Sequence, residues 1–175
     1  MRIEQALDLI RPINDYPKPG IVFQDITPLL ADGVAFALVI EHFSQFATED
    51  SLVAGVEARG FIFASALANK VNIGFIPIRK AGKLPHRVFS QSYGLEYGTD
   101  TLEIHQDAVP SGGKVLLIDD VLATGGTLEA AIDLVERAGG TVYHILSLLE
   151  IAALGGRQRI HNKYPNIPIT SLIVS

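Results

Sequence analysis

The stretch VLLIDDVLATGGT, from Val115 to Thr127, decides the reading of this chain. Four apolar residues run into two adjacent aspartates, and a Gly-Gly pair bracketed by threonines follows. A short apolar run bounded by turn-forming residues reads as a buried strand. Directly after it, Leu128, Ala131, Ile132 and Val135 fall on one helical face, with glycines at 139 and 140 beyond the helix end. Strand, glycine loop and helix in that order form the opening of a βαβ unit.

The alternation continues on both sides. SLVAGV (51–56), NIGFIPI (72–78), TLEIH (101–105), TVYHILSLL (141–149) and ITSLIVS (169–175) read as strands, and GFIFASALANK (60–70) as a helix. Nearer the N-terminus, Ile3, Ala6, Leu7 and Ile10 keep helical spacing until Pro12 ends it. NDYPKPG (14–20) reads as an extended loop, because residues before proline avoid the helical region. A further helix places Phe36, Val39, Ile40 and Phe43 on one face. From Arg79 to Gly98 no period holds, and a long irregular segment in a compact domain is usually functional. Together these elements predict an α/β domain over 1–175 with a mostly parallel sheet; no repeat or linker interrupts it.

Composition narrows the function. The chain has 175 residues, 48% hydrophobic and 19% charged, which suits one globular domain. There is no cysteine, so disulfides and thiolate metal sites are excluded and a reducing compartment fits. Residues 1–15 carry acids within their apolar pattern and no small-residue cleavage site, so no signal peptide is expected there. No uncharged apolar run approaches the roughly 20 residues that span a bilayer. A cytoplasmic protein without a membrane partner is the expectation. The net charge of -5 argues against nucleic acid as a partner. Yet Ala58 to Leu95 contains no Asp or Glu, while holding Arg59, Lys70, Arg79, Lys80, Lys83 and Arg87. A basic run in an acidic chain suits a local anion site or a solvated surface.

In open α/β sheets, ligands gather beyond the carboxyl ends of the strands. Asp119 and Asp120 are expected at such an end, loosened so that both carboxylates face one ligand. Two ionised carboxylates side by side repel and require a partner. Sugar hydroxyls, which donate to carboxylates, supply one; for an isolated Asp-Asp pair a solvated turn serves as well. The loop from Ala123 through Thr124, Gly125 and Gly126 to Thr127 then enters a helix. Glycines admit close backbone approach, the helix N-terminus adds N–H donors and a favourable dipole, and the threonines add hydroxyls. That describes a phosphate cradle. No Gly-Lys-Ser/Thr follows, so it is not a Walker A loop. The five histidines (42, 86, 105, 144, 161) form no H-x-H or H-E-x-x-H pair, and no G-x-S-x-G is present, so a protein-held zinc or a hydrolase triad has no support.

VLLIDDVLATGGT closely resembles the phosphoribosyl diphosphate (PRPP) signature of the type I phosphoribosyltransferases. YPKPGIVFQDITPLL, GVEARGFIF, IPIRKAGKLP and YGLEYGTDTLEIHQDA resemble the adenine-using branch of that family, in the expected order over nearly the whole chain. The resemblance implies the type I phosphoribosyltransferase fold, with a small N-terminal hood (1–33) and a flexible catalytic loop (80–98). It implies transfer of the phosphoribosyl group of PRPP to adenine, giving AMP and pyrophosphate, with Mg2+ carried by PRPP and a homodimeric assembly. By the same resemblance, Asp119 and Asp120 bind the ribose hydroxyls and residues 123–127 the 5-phosphate. Arg59, with Lys80 and Lys83, meets the pyrophosphate. Glu96 is the acid/base group near adenine, with Arg59 beside it as a catalytic residue, and Tyr97 helps the loop cover PRPP. Phe23 stacks on adenine, while backbone groups of Val22 and Gln24 read its edge; some relatives carry Arg in place of Gln24. His86 lies in the closing loop, within reach of pyrophosphate or solvated. A phosphoribosyltransferase for another base would have a different hood and acid/base residue. A regulator that only senses PRPP would have lost a loop residue or gained a DNA-binding segment.

Overall fold

The structure is a computed structural model that describes residues 1–94 and 99–175. The chain divides into two compact units, Met1–Gln45 and Phe46–Ser175. The sequence shows no linker there.

In the first unit, α1 (Ile3–Leu7) leads to an antiparallel hairpin of β1 (Arg11–Asn14) and β2 (Val22–Asp25), with Ile13 opposite Phe23. Helices α2 (Thr27–Ala31) and α3 (Gly33–Ser44) follow. Pro28 lies in the first turn of α2, where its missing N–H costs nothing. The Asp32 carboxylate caps α3, accepting from Val34 and Ala35 N–H at 2.9 Å. Helices α1 and α2 pack on α3, and this is why the first unit extends to Gln45. The helix expected to reach toward Pro12 stops at Leu7. Pro12 cannot continue a helix but can sit in a two-stranded edge, so β1 takes its place.

The second unit is built on a seven-stranded sheet. It comprises β3 (Ser51–Val56), β4 (Phe75–Lys80), β5 (Val88–Gly94), β6 (Thr99–His105), β7 (Lys114–Leu122), β8 (Thr141–Glu150) and β9 (Ile169–Val174), in the order β5-β6-β4-β3-β7-β8-β9. Pairing is parallel from β4 through β9 and antiparallel at β4/β6 and β5/β6. The mostly parallel α/β sheet expected from the sequence is present. Helix α4 (Arg59–Val71) connects β3 to β4, α5 (Gly126–Arg137) connects β7 to β8, and α6 (Gly156–Lys163) precedes β9. Right-handed crossovers that run outward in opposite directions place α4 and α5 on opposite faces of the sheet. The central strand β7 is therefore covered on both sides. Val115 through Ile118 have no exposed surface, which explains the unbroken apolar run. No helix among the described residues is long and apolar enough to cross a membrane.

The described part of the segment read as irregular, Arg79 to Gly94, holds two paired strand stretches. Lys80 ends β4, and Val88–Gly94 forms β5, in register with β6 from Val88↔His105 to Gly94↔Thr99. Its period was hidden because the strand is half polar. Ser90 and Ser92 lie opposite Glu103 and Thr101, and both pairs are joined through side chains, Ser90 Oγ to Glu103 Oε1 at 3.1 Å and Ser92 Oγ to Thr101 Oγ1 at 2.9 Å.

Candidate active site

Strand β3 connects outward to β4 and β7 connects outward to β8, so the strand order reverses between β3 and β7. Crevices at such reversals, beyond the carboxyl ends of the strands, are where open α/β sheets bind ligands. Pairing of β3 with β7 ends at Gly55↔Ile118, whereas β7 stays paired with β8 as far as Leu122↔Glu150. Asp119 and Asp120 thus begin where the β3 side opens. The expectation that the strand loosens at the aspartates is corrected: both lie within β7, which runs on for two more residues.

Both carboxyls meet the first turn of α4 and are buried, at 8% and 6% exposure. Arg59 Nη2 stands 2.7 Å from Asp120 Oδ2 as an ion pair, but not in hydrogen-bonding alignment, and among the described residues that buried oxygen has no hydrogen-bond donor. Asp120 N–H donates to Asp119 Oδ1 at 2.9 Å. Burial pushes the Asp119 carboxyl well up, and the neighbouring Asp120 charge pushes it further. Asp120 is also raised by burial, with the Arg59 charge opposing. Arg59 and the positive end of α4 offset part of that cost without cancelling it.

The 123–127 loop follows without a break. Gly125 has φ +81, a left-handed conformation at the N-cap of α5 that glycine adopts without strain. Ala123, Thr124, Gly125 and Thr127 line a small concavity of about 50 Å³ together with Val121, Leu122 and Leu128. A water molecule takes about 30 Å³ in the liquid, so the space suits a small polar group. Anions favour such a helix start.

The basic run converges on the same end of the sheet. The Glu57–Ala58 peptide, just before α4, is cis. Glu57 accepts Lys83 Nζ at 2.5 Å, Lys80 N–H at 3.0 Å and Arg79 Nε at 3.3 Å. Burial alone would raise the Glu57 carboxyl, but those three donors hold it at about 2. Lys80 Nζ is 2.6 Å from Asp100 Oδ2, which also accepts Tyr93 Oη at 3.4 Å. Lys80 and Tyr93 thus share the Asp100 carboxylate. Both lysines assigned to pyrophosphate are held by internal carboxylates in this state. His86 is exposed, its ring 6.1 Å from that of His105.

Glu96 and Tyr97 lie outside the described residues. Val22, Phe23 and Gln24 are on β2 of the first unit, where the Tyr16 ring meets Phe23 edge-on at 5.3 Å between centroids.

Residues 25–167 match the phosphoribosyl transferase domain family. An adenine phosphoribosyltransferase of Thermobifida fusca is 54% identical over 153 residues, covering 86% of this chain and 87% of the relative. The crystal structure of adenine phosphoribosyltransferase from Thermoanaerobacter pseudethanolicus matches with a TM-score of 0.92 and 46% identity over 99% of each chain. That of Saccharomyces cerevisiae, complexed with D-2,5-dideoxy-2,5-imino-altritol 1,6-bisphosphate and adenine, matches at 0.90 and 32% identity over 97% of each chain. The chain belongs to the adenine phosphoribosyltransferase family.

Two parts of this family member's site escaped the sequence reading. One is Glu57, which neutralises the cations. Its signal was available: it is the last acid before the acid-free run from Ala58 to Leu95. The other is the Gly155–Arg157 turn behind the glycine loop, which carries no periodicity and no charge pattern that points to a ligand.

Proposed function

We infer that this chain transfers the 5-phosphoribosyl group of PRPP to adenine, releasing pyrophosphate and forming AMP, as in purine salvage. The observation that carries the reading is the buried Asp119–Asp120 pair, set between Arg59 and the Gly125 loop at the sheet's reversal point.

The phosphate of PRPP sits against residues 123–127, where backbone N–H groups and the Thr124 and Thr127 hydroxyls donate to it. The ribose hydroxyls at positions 2 and 3 donate to Asp119 and Asp120. Fixing the sugar at both ends orients C1 toward the base and contributes to rate through positioning. Pyrophosphate leaves toward Arg59, Lys80 and Lys83. Those lysines exchange the Asp100 and Glu57 carboxylates for phosphate oxygens, an exchange of one anionic partner for another. As the C1–O bond breaks, charge grows on the leaving oxygen, and fixed cations there stabilise it most when water is excluded. The C1–N9 bond forms, and the N9 proton passes to Glu96. Tyr97 covers the bound PRPP. Phe23 stacks on the purine while the backbone of Val22 and Gln24 reads its edge.

Among the described residues, no three Asp, Glu, His or Cys side chains converge to hold a metal ion. The donor set at hand is the carboxylate pair, hard oxygen ligands of the kind magnesium takes alongside phosphates. On this reading Mg2+ arrives with PRPP, and the carboxylate pair would help hold it where it would supply charge neutralisation for the departing pyrophosphate. A homodimer in the cytoplasm is the assembly and place that the family suggests.

The test is a purified-protein assay with PRPP, magnesium and varied base, run beside Asp119→Asn. AMP formation from adenine that collapses in the variant supports the reading. Undiminished turnover and PRPP affinity in the variant would remove the aspartates from the site.

A further inference from the structure

Behind the glycine loop, the turn before α6 makes a contact that no side chain could share. A Cβ on Gly156 would overlap the Ala123 carbonyl oxygen and lie 2.8 Å from Gly125 N. A Cβ on Gly125 would lie 2.7 Å from Gly156 O and 3.0 Å from Gly156 Cα. The two backbones are therefore stacked directly, glycine against glycine. Gly155, with φ +68, makes the turn that brings Gly156 there.

Helix α6 is fastened on both sides of this contact. Arg157 Nε donates to Glu150 Oε1 at 2.9 Å, its Nη2 reaches Glu150 Oε2, and its Nη1 donates to Ile169 O at 2.9 Å. Ser171 Oγ donates to Glu150 Oε2 at 2.8 Å. Glu150 is 4% exposed and pairs with Leu122, the residue before the loop. Ile151 N–H donates to Leu122 O at 2.9 Å. One turn on, Arg159 Nε meets Glu129 Oε2, in the first turn of α5, at 2.5 Å. The strand entering the loop and the helix leaving it are thus both tied to α6.

We propose that Gly156, held by the Arg157–Glu150 pair, is the back wall of the 5-phosphate loop, and that Gly156, Arg157 and Glu150 are positioning residues for phosphate binding. The inference rests on reading residues 123–127 as that loop. None of the three touches the substrate. Their effect is to stop the loop from retreating, so that its N–H groups are already aimed when phosphate arrives; sites hold this geometry only when a supporting layer locks it.

The test measures AMP affinity by calorimetry well below the melting temperature, and KM for PRPP and for adenine. Gly156→Ala should weaken AMP at least tenfold and raise KM for PRPP, with KM for adenine and saturated kcat changed little. Arg157→Lys keeps the charge but loses the forked contact, and should weaken AMP several-fold. Two controls frame the result. Gly113→Ala introduces a backbone overlap, 2.9 Å from Pro110 O, at the opposite end of β7, milder than the overlap with Ala123 O at Gly156. It should lower stability and leave AMP affinity within twofold. Thr127→Val probes the loop itself and should weaken AMP about tenfold.

If Gly156→Ala binds AMP normally while Thr127→Val does not, the back-wall inference is wrong and the loop assignment stands. If Gly156→Ala does not fold, Arg157→Lys decides in the same way. An equal loss of affinity in Gly113→Ala assigns the effect to general destabilisation and overturns the inference. Normal AMP binding by Thr127→Val overturns the loop assignment, and the back wall falls with it.

Discussion

Replacing Asp119 with Asn should weaken PRPP binding and, at the same time, stabilise the free protein. Asp119 Oδ1 already accepts the Asp120 N–H at 2.9 Å, which leaves Oδ2 to take a ribose hydroxyl. Asn can keep the first bond through its amide oxygen but loses the charged acceptor. One charge-assisted hydrogen bond contributes about 1.5–3 kcal/mol, which corresponds to roughly a 10- to 150-fold loss of PRPP affinity. The stability effect has the opposite sign. Burial raises the folded-state pKa of Asp119 above its ordinary value of 3.8. Between that value and the raised one, the folded chain holds a proton that the unfolded chain has released. Stability is therefore full below about pH 4, falls as pH rises through the raised pKa, and stays low at neutral pH. Asn cannot ionise and escapes that loss. At this chain length each kcal/mol recovered raises Tm by roughly 2–4 °C. Thermal melts of both proteins without ligand, from pH 4 to 8, should converge at the acid end and separate toward neutrality, with the variant higher. PRPP titrations with magnesium at pH 7.5 supply the second measurement. A variant less stable than the parent at neutral pH would show that the buried charge is well compensated, and the linkage argument would fail. Equal PRPP affinity would remove the hydroxyl contact.

Gly125→Val should abolish AMP and PRPP binding together, because both carry the same phosphate and the new side chain meets both the positive φ and the Gly156 backbone; retention of AMP binding would place the phosphate elsewhere. Glu57 holds its carboxyl at about 2, below an ordinary 4.5, so its contribution to stability is present above about pH 4.5 and lost as pH falls toward 2. Glu57→Gln should accordingly flatten the acid limb of a stability–pH curve, and an unchanged limb would show that its cations do not stabilise the fold. Adenine should be preferred to hypoxanthine and guanine by roughly 10⁴-fold in kcat/KM, since the 6-oxo purines reverse the donor and acceptor at positions 6 and 1. Comparable kcat/KM for the three bases would reject edge recognition by Val22 and Gln24.

How much of this was legible in the sequence depends on the range of the interactions involved. The strands β3, β7 and β8 and the helices α4 and α5 announce themselves because both sheet faces are covered there, and an apolar run records that locally; β4 and β9 show as short apolar runs although they are only partly buried. The glycine loop is equally local: Gly125 and Gly126 adjoin the aspartates in sequence and in space. Strand β5 is different. Its pattern, VFSQSYG, becomes regular only against the partner residues of β6, where serines face Thr101 and Glu103. A half-polar strand has no period of its own to show.

The site's ion pairs lie beyond sequence reading for the same reason. Lys83 meets Glu57 across 26 residues, Lys80 meets Asp100 across 20, and only the fold chooses those partners. Asp120 pairs with Arg59 by the same logic, since β7 lies beside β3 and α4 starts from the end of β3. The acid-free stretch from Ala58 to Leu95 shows that cations are gathered, but not that Glu57 and Asp100 hold them in the absence of ligand. This arrangement has a consequence for affinity. A free lysine cluster would bind any polyanion, whereas lysines already paired must give up a carboxylate for each phosphate oxygen they take. Pyrophosphate can compete because it brings several charges to several lysines at once, while a monoanion displacing one carboxylate gains little. On the proposal that Lys80 and Lys83 receive the pyrophosphate, the internal pairs favour a diphosphate leaving group over single anions.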